Sequence, residues 1–214
     1  MARPRFLLPC VILLTAVAGP AAAQRVELRV ALTPDTVVDG RQIRLPKVRT
    51  LNLLSGRWGQ ALQNSLPLRL SYQIEIWRSR DGWIDQYERT VEWGVVIRHE
   101  ALFDQYTVTT PHAQGAAEVS LATWEALDRH LSREALILAR PGGRGTYYFH
   151  VRLEVTTLST ADLDELERFV RGEGTAPERE RNPASRSVLQ FLMRMTGGLQ
   201  SERVEQRTEK FVVP

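Results

Sequence analysis

The chain has 214 residues, of which 43% are hydrophobic, 25% charged and 7% aromatic, with a formal charge of +3. Those proportions belong to a globular protein and exclude collagen-like, polytopic-membrane and wholly disordered classes. The basic residues are nearly all arginine and alternate with acids along the chain. The sequence therefore lacks the electrostatic footprint of a nucleic-acid binder.

Residues 1–23 read as a cleaved signal peptide. Arg3 and Arg5 precede an apolar run over residues 6–17, Gly19-Pro20 breaks it, and Ala21-Ala22-Ala23 supplies the small residues a signal peptidase needs. The run is shorter than the roughly 20 residues that span a bilayer, so no membrane span is expected once cleavage separates Ala23 from Gln24. The expected location is the periplasm or the outside of the cell. Cys10, the one cysteine, follows Pro9 inside the apolar run and does not form a lipobox. It leaves with the signal, so the mature chain is expected to hold no disulfide and no thiolate metal site. Removing Arg3 and Arg5 leaves 26 basic against 25 acidic residues, a net charge of +1.

Alternation then predicts strands. Val26, Leu28, Val30 and Leu32 face one way. A short helix is expected over residues 57–64, ahead of Pro67. Leu68, Leu70, Tyr72, Ile74 and Ile76 alternate with polar residues up to Ser79-Arg80-Asp81-Gly82, whose Asp-Gly favours a hairpin. The return strand is expected to bury Tyr87, Val91, Trp93, Val95 and Ile97 and to expose Glu88, Thr90 and Glu92. Together these make a long antiparallel hairpin with one buried face. A shorter strand follows over residues 104–110. Ser120 is the expected N-cap of a helix carrying Leu121, Trp124, Leu127 and Leu131 on one stripe.

A short apolar run over residues 136–139 meets the turn Pro141-Gly142-Gly143-Arg144-Gly145. The next strand buries Tyr147, Phe149, Val151, Leu153 and Val155 and exposes Tyr148, His150, Arg152 and Glu154. Ser159-Thr160-Ala161-Asp162 opens a helix that Gly172 stops, and Asn182-Pro183 opens another that ends at Gly197-Gly198. A last strand is expected over residues 210–213. The fold class is α+β, mostly antiparallel β-sheet in a sandwich or one curved sheet, with a few packed helices. Residues 24–172 form its domain, 173–182 a mobile loop, and 183–214 a C-terminal helix and tail packed on the domain.

Several of these segments resemble an exported, mainly proteobacterial family described only as a domain of unknown function. Ser65-Leu66-Pro67-Leu68, Arg78-Ser79-Arg80 with Trp83, and Arg98-His99-Glu100-Ala101-Leu102 carry the resemblance. So do Asp104-Gln105-Tyr106-Thr107-Val108, Ser120-Leu121 with Glu125-Ala126-Leu127, and the Tyr-x-x-x-Val-Arg-x-x-Leu pattern that begins at Tyr147. The resemblance covers residues 26–158, departs from the family at Leu153-Glu154 and Leu158-Ser159, and implies no activity, cofactor or catalytic residue.

The residues themselves point away from catalysis. There is no Gly-x-Ser-x-Gly elbow, dinucleotide fingerprint or P-loop. The glycines at 142, 143 and 145 lie between strands, where they serve a turn and not a phosphate cradle. His99, His112, His130 and His150 form no short metal-binding pair, and the acids around Asp162 suit a helix N-terminus. No enzyme, metal or cofactor is therefore expected. Gly56-x-Trp58 is similar to the Gly-x-Trp of lipocalins, although it falls in the expected helix. The alternative reading is a carrier of a lipid or other hydrophobic ligand, because the wide apolar face of the long hairpin and the amphipathic helices can enclose a cavity. The leading expectation is a non-enzymatic interaction module of the cell envelope. Its partner-binding residues are Trp77, Arg78, Arg80 and Trp83 at the hairpin tip, where Trp and Arg are favoured interface anchors.

Overall fold

The computed structural model describes residues 25–112, 115–158 and 201–214. The expected signal peptide with its Ala23–Gln24 junction, the two helices between residues 159 and 198, and the loop at 173–182 lie outside the described residues. No described helix is long and apolar enough to cross a membrane.

The strands are β1 (Glu27–Leu32), β2 (Thr36–Val38), β3 (Arg41–Ile43), β4 (Pro46–Leu51), β5 (Leu68–Ser79) and β6 (Gln86–Glu100). They continue with β7 (Gln105–His112), β8 (Gly115–Leu121), β9 (Ala135–Leu136), β10 (Gly145–Thr157), β11 (Ser201–Arg207) and β12 (Phe211–Val213). Two helices, α1 (Arg57–Gln63) and α2 (Trp124–Leu131), complete the described residues. The architecture is thus mostly antiparallel β.

One large sheet has the order β11-β10-β5-β6-β7-β8, with β12 pairing β10 beyond β11. A second sheet has the order β1-β4-β9, and β2 and β3 form a separate hairpin. The turn of that hairpin is Asp39-Gly40, both with positive φ (52° and 76°), which suits the twist of a two-residue connection. The core lies between the two larger sheets. Leu28 and Val48 of the small sheet belong to the same buried cluster as Leu70, Ile74, Phe149, Val151 and Leu153 of the large one. Across it the hydroxyls of Thr50 and Tyr72 share a 2.8 Å hydrogen bond, and burial pushes the Tyr72 phenol up to about 12. The sheets also meet at one edge, where the backbone N–H of Val30 in β1 donates to the side-chain carbonyl of Gln206 in β11 (3.1 Å).

The long hairpin appears as expected, with Leu68, Leu70, Tyr72, Ile74 and Ile76 buried. One detail of its return strand differs. Ile76 pairs with Arg89 but Trp77 pairs with Tyr87, so Glu88 is an extra residue in β6 and the register shifts there. A bulge of this kind reverses the facing of what precedes it. Tyr87, expected inside, is consequently exposed beside Trp77, and Glu88, expected outside, reaches inward. There its carboxylate accepts hydrogen bonds from the Tyr147 hydroxyl and the Gly142 N–H, both at 2.8 Å.

Three further expectations are corrected. Leu121 ends a strand instead of starting a helix; the N-cap is Thr123, whose hydroxyl accepts from the Ala126 N–H at 3.1 Å. Tyr148 is buried despite its polar-face parity, because Trp77 stacks beside it and the Arg207 guanidinium lies 3.4 Å from its ring centroid. Strands β2, β3, β4, β8 and β11 fall where no strand was expected.

Candidate functional site

The tip of the β5–β6 hairpin is a tight turn. The Trp83 N–H donates to the Arg80 carbonyl (3.3 Å), and Gly82 takes φ +74°, a conformation that costs a side-chain-bearing residue. Asp85 anchors the turn to the sheet. It accepts from the Arg80 backbone N–H (3.3 Å) and the Tyr148 hydroxyl (2.9 Å), and it lies 3.6 Å from the Arg207 guanidinium. The hydrogen bond from Tyr148 holds its carboxyl below the ordinary range. A rigid base thus carries an apolar apex, with Trp83 81% and Ile84 90% exposed.

The four expected contact residues separate in the structure. Trp83 is at the apex, whereas Trp77 is half-buried on the outer face of the sheet, edge-on to Tyr87 and parallel to Tyr148. Its indole N–H donates to Glu75 (2.9 Å). Arg78 pairs with Tyr147, which places it on the other face, where its Nε would lie 2.8 Å from a Cβ on Gly145. Arg80 hydrogen-bonds the Gln86 side chain across the turn. Ile84, which sequence reasoning passed over, is the second apex residue; the signal for it was a lone aliphatic residue in an otherwise polar turn.

Below the tip, the outer face carries a polar network. His150 sits between Glu75 (3.2 Å) and Glu205 (3.3 Å). Arg152 donates to Glu205 (2.9 Å) and to Gln73 (2.6 Å), and Gln73 donates to Glu92 (3.0 Å). Burial pushes the Glu75 carboxyl up, but hydrogen bonds from Trp77 and His150 and the Arg152 charge outweigh it, so the group lies below the usual 4.5. The hydrogen bond from Arg152 does the same for Glu205. Burial wins at Glu92, whose carboxyl is raised.

Both depressed groups contribute stability that is complete above the ordinary carboxylate value and is lost as pH falls through their lower folded values. Thermal melts from neutral pH down through 4.5 are therefore expected to show a falling Tm. A Glu75→Gln, Glu205→Gln double variant is expected to fall less steeply over the same range.

No three His, Cys, Asp or Glu side chains are grouped to hold a metal among the described residues. The space between the sheets is filled by Trp58, Tyr147, Phe149 and aliphatic side chains. Among the described residues, two of the surface clefts are open, with charged residues making up at least half of each lining. One of about 1100 Å³ lies between Arg49 and the α2 residues Glu125, Asp128 and Arg129, and one of about 630 Å³ lies over β1. Mixed charges in an open cleft do not select a ligand.

Residues 48–161 match a family model described as a domain of unknown function (DUF4390). This bears out the resemblance drawn from the sequence, with the matched region beginning at β4 instead of β1. No curated protein and no solved structure matches the chain significantly.

Proposed function

Since the chain belongs to the DUF4390 family, a domain of unknown function, we propose from its geometry that it is a non-enzymatic interaction module of the cell envelope. In this reading it is exported by its N-terminal signal and binds a partner protein through the β5–β6 tip. The observation that carries this is the exposure of Trp83 and Ile84 together on a turn held rigid by Asp85. Adjacent large apolar side chains held in water are costly unless a partner covers them, and a pre-ordered turn loses little entropy on binding. Trp77 and Arg80 act as supports, since the first packs under the tip and the second braces the turn.

A photo-crosslinking residue in place of Trp83 tests this in cells. Discrete adducts with an envelope protein are expected, and adding Ile84→Asp is expected to reduce them at least tenfold, the scale of a lost interface anchor. The thermal stability of Trp83→Ala should stay within about 0.5 kcal/mol of the parent, because the residue is exposed. Adducts that survive Ile84→Asp undiminished, or crosslinks confined to cytoplasmic proteins, overturn the proposal.

A further inference from the structure

Strand β6 is 15 residues long, but its two neighbours use it unequally. On one side β5 pairs with it from Gln86 to Ile97, whereas on the other β7 pairs only from Val96 to Glu100. Beyond Thr109, β7 stays with β8 and leaves β6, through Thr110↔Ala117, Pro111↔Ala116 and His112↔Gly115. Pro111 has no N–H with which to extend a ladder. The loop before β10 holds the start of the vacated edge, where Arg89 reaches the Arg140 carbonyl and Glu88 the Gly142 N–H. Among the described residues no strand pairs the remaining stretch, 90–95, on the side away from β5.

Both faces of that stretch are prepared for a strand. On the inner face Val91, Trp93 and Val95 are only half-buried, although their partners Ile74, Tyr72 and Leu70 across β5 are buried. Trp93 stacks flat on Tyr72 (4.6 Å between centroids, planes within 1°), so its second face is turned toward the open edge. On the outer face Glu92 spends one oxygen on Gln73. Its other oxygen is buried and has no hydrogen-bond partner. An edge without a described strand partner, an unfinished apolar face and a carboxylate with one unbonded oxygen coincide over six residues.

We propose that residues 90–95 accept one extended segment of a partner protein by strand addition, with apolar residues at alternate positions against Trp93 and Val95 and a lysine or arginine facing Glu92. Backbone hydrogen bonds supply the affinity in this mode, and the alternating side chains supply the selectivity. Because β7 leaves β6 beyond Thr109, an added segment displaces no described pairing of residues 90–95. The site is distinct from the apex at Trp83 and does not depend on it.

Hydrogen exchange on the purified protein tests this, with a short synthetic peptide that alternates valine and threonine and has one central threonine replaced by lysine. The outward amides of residues 90–95 are expected to exchange freely in the protein alone and to slow at least tenfold when the peptide saturates. A peptide N-methylated along one edge is expected to give no protection, since it lacks the donors. Glu92→Gln is expected to weaken the lysine peptide about tenfold and leave an all-threonine peptide unchanged. The proposal is overturned by amides already protected without peptide, by equal protection from the N-methylated peptide, or by no saturable protection at millimolar peptide. Equal binding of the lysine peptide to Glu92→Gln overturns the assignment of the cation.

Discussion

Trp58→Ala is expected to lower the free energy of unfolding by about 3–5 kcal/mol, among the largest effects of any single truncation in the chain. Trp58 is 1% exposed and lies in the core from α1. It is also a tie. Its indole N–H donates to Glu202 of β11 at 2.8 Å, and Arg57, stacked 4.6 Å from the indole centroid, pairs with the same carboxylate at 2.8 Å. Truncation therefore leaves a cavity and removes a donor from a largely covered carboxylate, two costs that add. Burial pushes the Glu202 carboxyl up, but Trp58 and Arg57 together hold it below the ordinary range. Trp58→Phe keeps most of the volume and loses the hydrogen bond, with an expected cost of about 1–2 kcal/mol. Guanidinium unfolding followed by circular dichroism separates the two variants, and an alanine variant within 1 kcal/mol of the parent would contradict the account.

Gly59→Ala is expected to destabilise by about 2–3 kcal/mol, although the same change at an exposed helical glycine stabilises by about 0.5–1 kcal/mol. The sign reverses because of what a methyl would meet. A Cβ at Gly59 would lie 2.0 Å from the carbonyl oxygen of Leu54 and 3.2 Å from the Trp124 ring. The first of these atoms is backbone and cannot swing aside, so α1 must lift from the turn that precedes it. Gln60→Ala, one residue on and exposed, serves as the control and is expected to change stability by less than about 0.5 kcal/mol. A neutral or stabilising Gly59→Ala in the same unfolding assay would mean that α1 moves freely.

The strands that the sequence announces are those whose two faces differ in solvent. β5 and β10 each bury one face against a full core, so every second residue is apolar and both can be placed from periodicity. β8 (GAAEVSL) and β11 (SERVEQR) lie toward the edges of the sheet and are held mainly by backbone pairing. In β11 the half-buried positions are Glu202, Val204 and Gln206, where polar side chains find partners in Trp58 and the Val30 N–H. Polar docking of that kind leaves no hydrophobic period to detect.

The candidate site was legible in part for a related reason. Asp81-Gly82 marks the turn and thereby its apex at Trp83, but the expected facing of Tyr87 and Glu88 rests on uninterrupted pairing. The bulge at Glu88 breaks that pairing, and no residue in Gln86-Tyr87-Glu88-Arg89 announces it. The open edge of β6 was beyond reach of the sequence, because it depends on where β7 stops following its neighbour.

The meeting of Val30 with Gln206 sets the timing of assembly. The two groups are 176 residues apart, so one of the contacts that joins the sheets is also among the last that synthesis makes available. Until residues 201–213 exist, β10 has a bare edge along the length that β11 and β12 later cover, and the Val30 N–H of β1 lacks its Gln206 acceptor. Pairing across such separations is slow, since the intervening loop must close first. A nascent chain of this protein therefore waits with its long strand β10 as an uncovered sheet edge, which is the state in which sheet proteins aggregate and the one a holding chaperone recognises.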